Sequence, residues 1–288
     1  MMLTSTQISS YRRMGDLKTI VCKLRDAGFE AYDFSMFLGG LSDEILLADD
    51  YIERARAFRA YTDSIGMPCN QTHAPFATAK KGNEEYNDKM RPLIRRSIEI
   101  SGELGAKVCV VHPCNDYTPE ENAEMYRRDF EDVARRAGVK IGVENMWNHD
   151  PIDRSLFAPA ACSHHENFKQ HMDLLPADVF VACLDIGHCY LDEMEKDAAL
   201  MIDTLGDRLA AIHLHDVNSK KDNHSIPFMQ DIDYEPVIEA LRRNRYCGDI
   251  TLEASGYSAK KFPAELLPAM ARFSAEIAAY FKERVLAK

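Results

Sequence analysis

The chain has 288 residues, with 35 Lys and Arg against 46 Asp and Glu and a formal charge of −11. Hydrophobic residues at 46% and charged residues at 28% exclude a disordered chain, and the length suffices for a large core. Apolar runs of only a few residues exclude a membrane-spanning helix, and the negative balance excludes a broad basic surface for nucleic acid or anionic membrane. Residues 1–15 lack the apolar stretch of a secretory signal. Eight cysteines occur without a Cys-x-x-Cys pair, several inside apolar runs such as Val108-Cys109-Val110. They read as free buried thiols of a reducing, cytoplasmic setting.

Amphipathic stretches end at Gly28, Gly66, Gly105, Gly138 and Gly206, each followed closely by a short apolar run. Helix, glycine, strand is the repeating unit, and such alternation predicts parallel strands joined by helical crossovers. The expected strands are 8–11, 31–35, 67–72, 107–112, 140–144, 179–185, 209–215 and 249–253. The expected helices are 16–27, 50–65, 85–104, 119–137, 164–175, 193–205, 234–244 and 263–284. The fourth and sixth strands are apolar on both faces, as parallel strands covered on both sides require. Leu266, Met270, Phe273, Ile277, Phe281 and Val285 form a helical stripe in the last helix, and Pro119 and Pro263 suit first helical turns. Eight strands and eight helices, with no Gly-x-Gly-x-x-Gly or P-loop, predict a single α/β domain over 1–288, a closed (β/α)8 barrel. Two long loops, 145–163 and 216–233, follow strands five and seven on the carboxyl face, where barrel active sites are built.

Strands three to eight end in an imidazole or carboxylate: His73, His112, Glu144, Asp185, then His213 or His215, and Glu253. In a barrel these ends converge on one rim. Imidazole and carboxylate are ligands for divalent ions, and several of them together desolvate badly without a cation. Asp185 and His188 form an Asp-x-x-His pair, and Asp222 and His224 an Asp-x-His pair in the long loop. His213 and His215 point to the same side of their strand, so parity does not choose between them. The pairs Lys80-Lys81, Lys220-Lys221 and Lys260-Lys261 fall in loops after strands, as solvated surface or as holders of a phosphate or carboxylate.

The segments Thr72-His73-Ala74-Pro75, Val110-Val111-His112-Pro113, Gly142-Val143-Glu144-Asn145, Leu184-Asp185-Ile186-Gly187-His188, His213-Leu214-His215-Asp216 and Leu252-Glu253-Ala254 resemble the xylose-isomerase-like barrel superfamily. That group includes sugar and sugar-phosphate isomerases and epimerases, inosose dehydratases and apurinic-site endonucleases. The resemblance runs from strand one to helix eight. It implies that a divalent ion (Mn²⁺, Zn²⁺, Mg²⁺ or Co²⁺) is held by Glu144, Asp185, His213 and Glu253. The superfamily histidine lies three residues before an acidic one, which favours His213 over His215. His73, His112, His188, Asp222 and His224 match the further ligands of the endonucleases' three-metal site, although Asn223 stands where those enzymes carry Arg.

The implied activity is sugar isomerisation or epimerisation. A proton leaves the carbon beside a carbonyl through a metal-stabilised enediolate, with Glu144 and Glu253 moving the protons. His188 would bind a substrate hydroxyl where it holds no metal, and Trp147 would wall the sugar pocket. The alternatives are a multi-metal phosphodiesterase like the endonucleases, which the charge of −11 and the scarcity of Arg in the loops disfavour, and an inosose-type dehydratase. The expected partner is a small sugar or sugar phosphate, not nucleic acid or membrane.

Overall fold

The computed structural model describes residues 2–256 and 262–287; Lys260 and Lys261 lie outside them. In chain order the strands are β1 (Thr4–Thr6), β2 (Tyr32–Ser35), β3 (Cys69–His73), β4 (Val108–Val110), β5 (Lys140–Glu144), the hairpin pair β6 (Trp147–His149) and β7 (Phe157–Pro159), β8 (Phe180–Asp185), β9 (Leu209–Leu214), the hairpin pair β10 (Asp216–Asn218) and β11 (Lys221–Ser225), and β12 (Ile250–Leu252). Eight of them form one parallel sheet in the order β1-β12-β9-β8-β5-β4-β3-β2. The ring closes between its outer strands: the Thr4 carbonyl accepts from the N–H groups of Glu30 and Ala31, each at 3.0 Å, and Gln7 bridges Asp33.

The helices are α1 (Leu17–Ala27), α2 (Asp43–Leu46), α3 (Tyr51–Ser64), α4 (Glu84–Leu104), α5 (Pro119–Asp129), α6 (Glu131–Ala137), α7 (His165–Asp173), α8 (Ile186–Cys189), α9 (Ala198–Leu205), α10 (Glu235–Arg243) and α11 (Leu267–Leu286). Local signals set their ends. Asp16 caps α1 by accepting from Thr19 N–H, and Gly28 closes it in the left-handed conformation at φ 110°, which costs glycine no steric strain. Thr118 and Glu121 form a reciprocal capping box at the start of α5, with Pro119 in its first turn. No described helix is long and apolar enough to cross a membrane.

Three expected elements differ. Residues 8–11 are not a strand: Ile8–Met14 is a 3-10 helix, and the first strand is Thr4–Thr6. Ile8, Tyr11 and Met14 are buried at a spacing of three, the repeat of a 3-10 turn and not of a strand. The helix expected over 193–205 starts only at Ala198, because Glu193 and Lys196 adopt positive φ and Asp197 supplies the cap. The helix expected over 119–137 is divided at Phe130, whose backbone leaves helical geometry.

The barrel interior explains where the site lies. Val108, Val110, Val181, Cys183 and Ala211 form a small apolar plug, separate from the larger core between sheet and helices. A strand repeats its facing every two residues, so the parity that points Val181 and Cys183 inward also points Asp185 inward. Ala211 does the same for His213, and Gly142 for Glu144. A β-carbon on Gly142 would stand 2.9 Å from the Val108 side chain, so glycine there lets the plug close beneath Glu144. Polar strand ends therefore sit directly above an apolar floor.

Candidate metal centre

Among the described residues, three groups of side chains present ligand atoms within 4.8 Å of one another: His73, His112 and Glu144; Glu144, Asp185, His213 and Glu253; and His188, His215, Asp222 and His224. Glu144 belongs to two groups. In the inner group, His213 Nδ1 lies 3.0 Å from Glu144 Oε1, 2.7 Å from Glu253 Oε2 and 3.9 Å from Asp185 Oδ2. In the first outer group, Glu144 Oε2 lies 3.0 Å from His112 Nε2 and 3.3 Å from His73 Nε2. In the second, Asp222 lies 3.5 Å from His188 Nε2 and 3.3 Å from His224 Nε2. The ten residues come from β3, β5, β8, β9 and β11 and from the segments that follow β4, β8, β9 and β12. The structure thus brings every sequence-derived candidate ligand to one rim.

Backbone carbonyls fix the tautomers of three imidazoles. A carbonyl only accepts, so His73 Nδ1 donates to Ala74 O at 2.8 Å, His188 Nδ1 to Asn145 O at 2.9 Å, and His224 Nδ1 to Glu253 O at 3.0 Å. In the neutral ring each Nε2 then turns a lone pair into the centre, the arrangement that metal-binding histidines adopt. The Nε2 atoms of His73 and His112 face one another at 3.0 Å. Glu144 Oε2, Glu253 Oε2 and Asp222 Oδ1 are buried without a hydrogen bond of good geometry. Converging lone pairs and orphaned carboxylate oxygens are costly when nothing positive binds between them. This donor set of nitrogen and oxygen fits divalent cations of the Zn²⁺ and Mn²⁺ type.

Electrostatics follow from the same crowding. Burial works against charge on Glu144, yet the imidazoles of His213 and His112 outweigh it and hold its carboxyl well below the usual range. Burial likewise opposes charge on Glu253, and His213 and His224 outweigh it. His224 is pushed the other way: burial disfavours its charged form, but Asp222, Glu253 and Asp185 raise it to about 9. His112 is lowered, because burial there exceeds the pull of Glu144.

His213 and His215 divide the work that sequence parity left open. His213 faces Glu144 and Glu253. His215 places Nε2 2.9 Å from Asp185 Oδ1 and stacks on His224 with ring centroids 4.0 Å apart. Asn145 was invisible as a contributor. It receives the Asp185 N–H on Oδ1 at 2.7 Å and donates through Nδ2 to the Asp185 carbonyl at 2.9 Å. Its place directly after Glu144 was the only signal.

Above the groups lies a cavity of about 360 Å³. Its walls include Phe76, Lys80, Asn115, Asp116, Met146 and Trp147, and its base includes His73, His112, His188, Asp222 and His224. Of the inner group only Glu144 and Glu253 line the cavity; Asp185 and His213 lie beneath. Trp147 donates from Nε1 to Asp222 Oδ2 at 3.1 Å and its carbonyl accepts from Asn115, so it both walls the cavity and holds a candidate ligand. Phe76, missed in the sequence, is 53% exposed at the mouth with its ring 5.2 Å from that of His112. The long loops foreseen after strands five and seven carry the hairpins β6–β7 and β10–β11, which supply Trp147, Asp222 and His224.

A closed parallel barrel whose strand ends carry clustered imidazoles and carboxylates defines a class of (β/α)8 protein built around a rim site. The sequence profile of the family described as xylose isomerase-like TIM barrel matches residues 21–278, and the chain belongs to that family. It is 26% identical over 261 residues to the uncharacterized protein y4fM of Sinorhizobium fredii, covering 80% of this chain and 78% of that one. It is 24% identical over 184 residues to the L-ribulose-5-phosphate 3-epimerase UlaE of Escherichia coli, covering 62% of this chain and 60% of that enzyme's length. A solved D-tagatose 3-epimerase-like protein superposes with a TM-score of 0.76 at 21% identity, covering 99% of this chain and 98% of that one.

Proposed function

We propose that this chain is a metal-dependent sugar or sugar-phosphate epimerase or isomerase. The observation that carries the reading is that Glu144 and Glu253, alone among the inner four, reach the cavity. Both are ionised well below neutral pH, so each meets a substrate as a carboxylate and not as a carboxylic acid. A cation held by Glu144, Asp185, His213 and Glu253 would supply positive charge to the substrate oxygens when a neighbouring C–H proton leaves. Two carboxylates in one cavity allow one to take a proton and the other to return one, to the opposite face or the next carbon. Asp185 and His213 stay below the cavity floor and serve as holders. Phe76 and Trp147 offer ring faces to the C–H surface of a sugar, and Asn115 and His188 offer polar contacts to hydroxyls. The naming of UlaE and of the tagatose epimerase-like structure supports the same reading. Eight cysteines without a disulfide among them suit a cytoplasmic setting.

The test is a panel of ketoses and their phosphates incubated with metal-loaded protein in deuterated water. Exchange of a single substrate C–H, followed by NMR, is the expected result. No exchange with any member of the panel under full metal loading would overturn it.

A second reading, phosphodiester hydrolysis, is favoured by one observation: the inner group is flanked on both sides by further ligand groups. Three ions side by side would suit in-line displacement at phosphorus. Cutting of an abasic-site duplex without sugar exchange would establish it in place of the first.

A further inference from the structure

Below the inner group, at the level of the barrel interior, lies a polar chain that the proposed chemistry leaves unused. Asp33 of β2, Gln71 of β3 and His213 of β9 are all buried. Gln71 Nε2 lies 2.8 Å from Asp33 Oδ2 and 2.8 Å from His213 Nε2. The other Asp33 oxygen has no partner. Three polar residues buried beside the apolar plug of valine, cysteine and alanine are costly unless their arrangement is used.

We infer that Gln71, anchored by Asp33, is a positioning residue whose amide sets which ring nitrogen of His213 carries the proton. The inference rests on the reading of His213 as a metal ligand through Nδ1. An amide nitrogen only donates. With Nε2 of Gln71 facing it, His213 Nε2 is the acceptor and the ring proton sits on Nδ1, pointing at Glu253 and Glu144. A cation in the inner group needs the lone pair of that same Nδ1. The proton must then leave Nδ1 for solvent, while one is taken up at Nε2, so the change is proton-neutral. The new Nε2–H needs an acceptor, and Oε1 of Gln71 supplies one when the amide is reversed. Asp33 accepts from the same Gln71 nitrogen and so favours the orientation with that nitrogen toward His213. Gln71 thus opposes loading in one orientation and supports it in the other, and the strength with which the centre holds a cation depends on a residue that touches neither cation nor substrate.

Two variants separate this from a packing role. Gln71→Leu removes both donor and acceptor. The double variant Asp33→Asn with Gln71→Glu reverses the polarity of the chain: the asparagine donates, and the glutamate only accepts from His213 Nε2–H. Long-range 15N–1H NMR of metal-free protein is expected to show His213 protonated on Nδ1 in the wild type and on Nε2 in the double variant. Titration with Co²⁺ is expected to show roughly 10- to 100-fold weaker binding in Gln71→Leu and at least wild-type affinity in the double variant. An unchanged His213 tautomer in the double variant, or unaltered Co²⁺ affinity in Gln71→Leu, would overturn the assignment. Should wild-type protein bind no Co²⁺ at all, the metal reading falls, while the tautomer measurement still decides the role of Gln71.

Discussion

The ring of His215 lies so close to Gly187 that a β-carbon built on the glycine would stand 2.1 Å from Cε1 and 2.4 Å from Nδ1. Gly187 belongs to the short helix directly after Asp185, and the space left by its missing side chain is what allows His215 to reach the Asp185 carboxylate. Gly187→Ala is therefore expected to drive the ring away, breaking the bond to Asp185 and the stack on His224. A loss of roughly 1–3 kcal/mol in unfolding free energy is expected from overpacking, accompanied by weaker metal binding. Denaturant midpoints and a Co²⁺ titration check it; a variant unchanged in both would show that His215 does not brace Asp185.

Ion counts distinguish the three ligand groups. Glu144 is shared by two of them, so Glu144→Ala is expected to reduce the bound metal more than any other single change. Under loading of the inner group alone, Asp185→Ala should remove the bound ion and Asp222→Ala should leave it; under loading of all three groups, Asp222→Ala should remove one ion from the second outer group. The barrel should survive each, because rim ligands are not core packing. Elemental analysis of purified protein, with circular dichroism as the control for folding, reads the result.

Glutamine probes proton transfer better than alanine does, because it keeps an oxygen for the ion but no longer takes a proton. Glu144→Gln and Glu253→Gln are each expected to retain part of the bound metal while solvent-deuterium exchange into substrate falls by about 10²- to 10⁴-fold. Near-normal exchange in either variant would remove that glutamate from the proton path.

His224 gives the metal-free protein a defined pH response. Its imidazole is raised from 6.5 to about 9, with burial opposing and Asp222 as the main support of the charge. The stability contributed by the charged ring is complete below pH 6.5 and is lost as the pH rises through about 9. Ligation requires the neutral ring, so affinity for a cation at the second outer group should climb over that same interval. Thermal unfolding of chelator-treated protein between pH 6 and 10, set against Co²⁺ affinity over that range, tests both trends. Stability and affinity rising together would contradict them.

Trp147 is the single tryptophan of the chain, and its Nε1 donates to Asp222. Emission from it should be quenched as Co²⁺ fills the second outer group, with no change in an Asp222→Ala variant. Trp147→Phe deletes one hydrogen bond to a charged acceptor, worth about 1.5–3 kcal/mol, and is expected to weaken that group's affinity about 10-fold or more. Emission indifferent to Co²⁺ would place the ion elsewhere.

What was legible in the sequence followed from periodicity and strand ends. Seven of the eight expected barrel strands overlap strands of the structure, because the helix-glycine-strand unit repeats and the apolar runs are distinctive. The exception was Thr4–Thr6, a polar trio whose side chains find partners only in the folded ring: Ser5 bonds Thr251, and Thr6 bonds the Leu252 carbonyl. No local signal announces such a strand. The candidate ligands were legible because imidazole and carboxylate at strand ends are conspicuous. Asn145, Gln71, Asp33 and the contact of His215 with Gly187 were not, since each acts through a neighbour distant in the chain. Phe76 lay in plain view four residues after Thr72, but an aromatic ring in a loop says nothing of exposure until the cavity is seen.

The order in which the rim residues occur along the chain sets a schedule for maturation. His73 and His112 leave the ribosome early, while Glu253 follows the last barrel strand, which must pair with both β9 and the very first strand before the ring exists. A cation meeting the half-made chain finds His73, His112 and Glu144 but no other member of the inner group. Firm capture waits until synthesis has passed Glu253 and β12 has slotted between β1 and β9. A cation held by the inner group would therefore be captured after translation, as the final fastener of a barrel already shut.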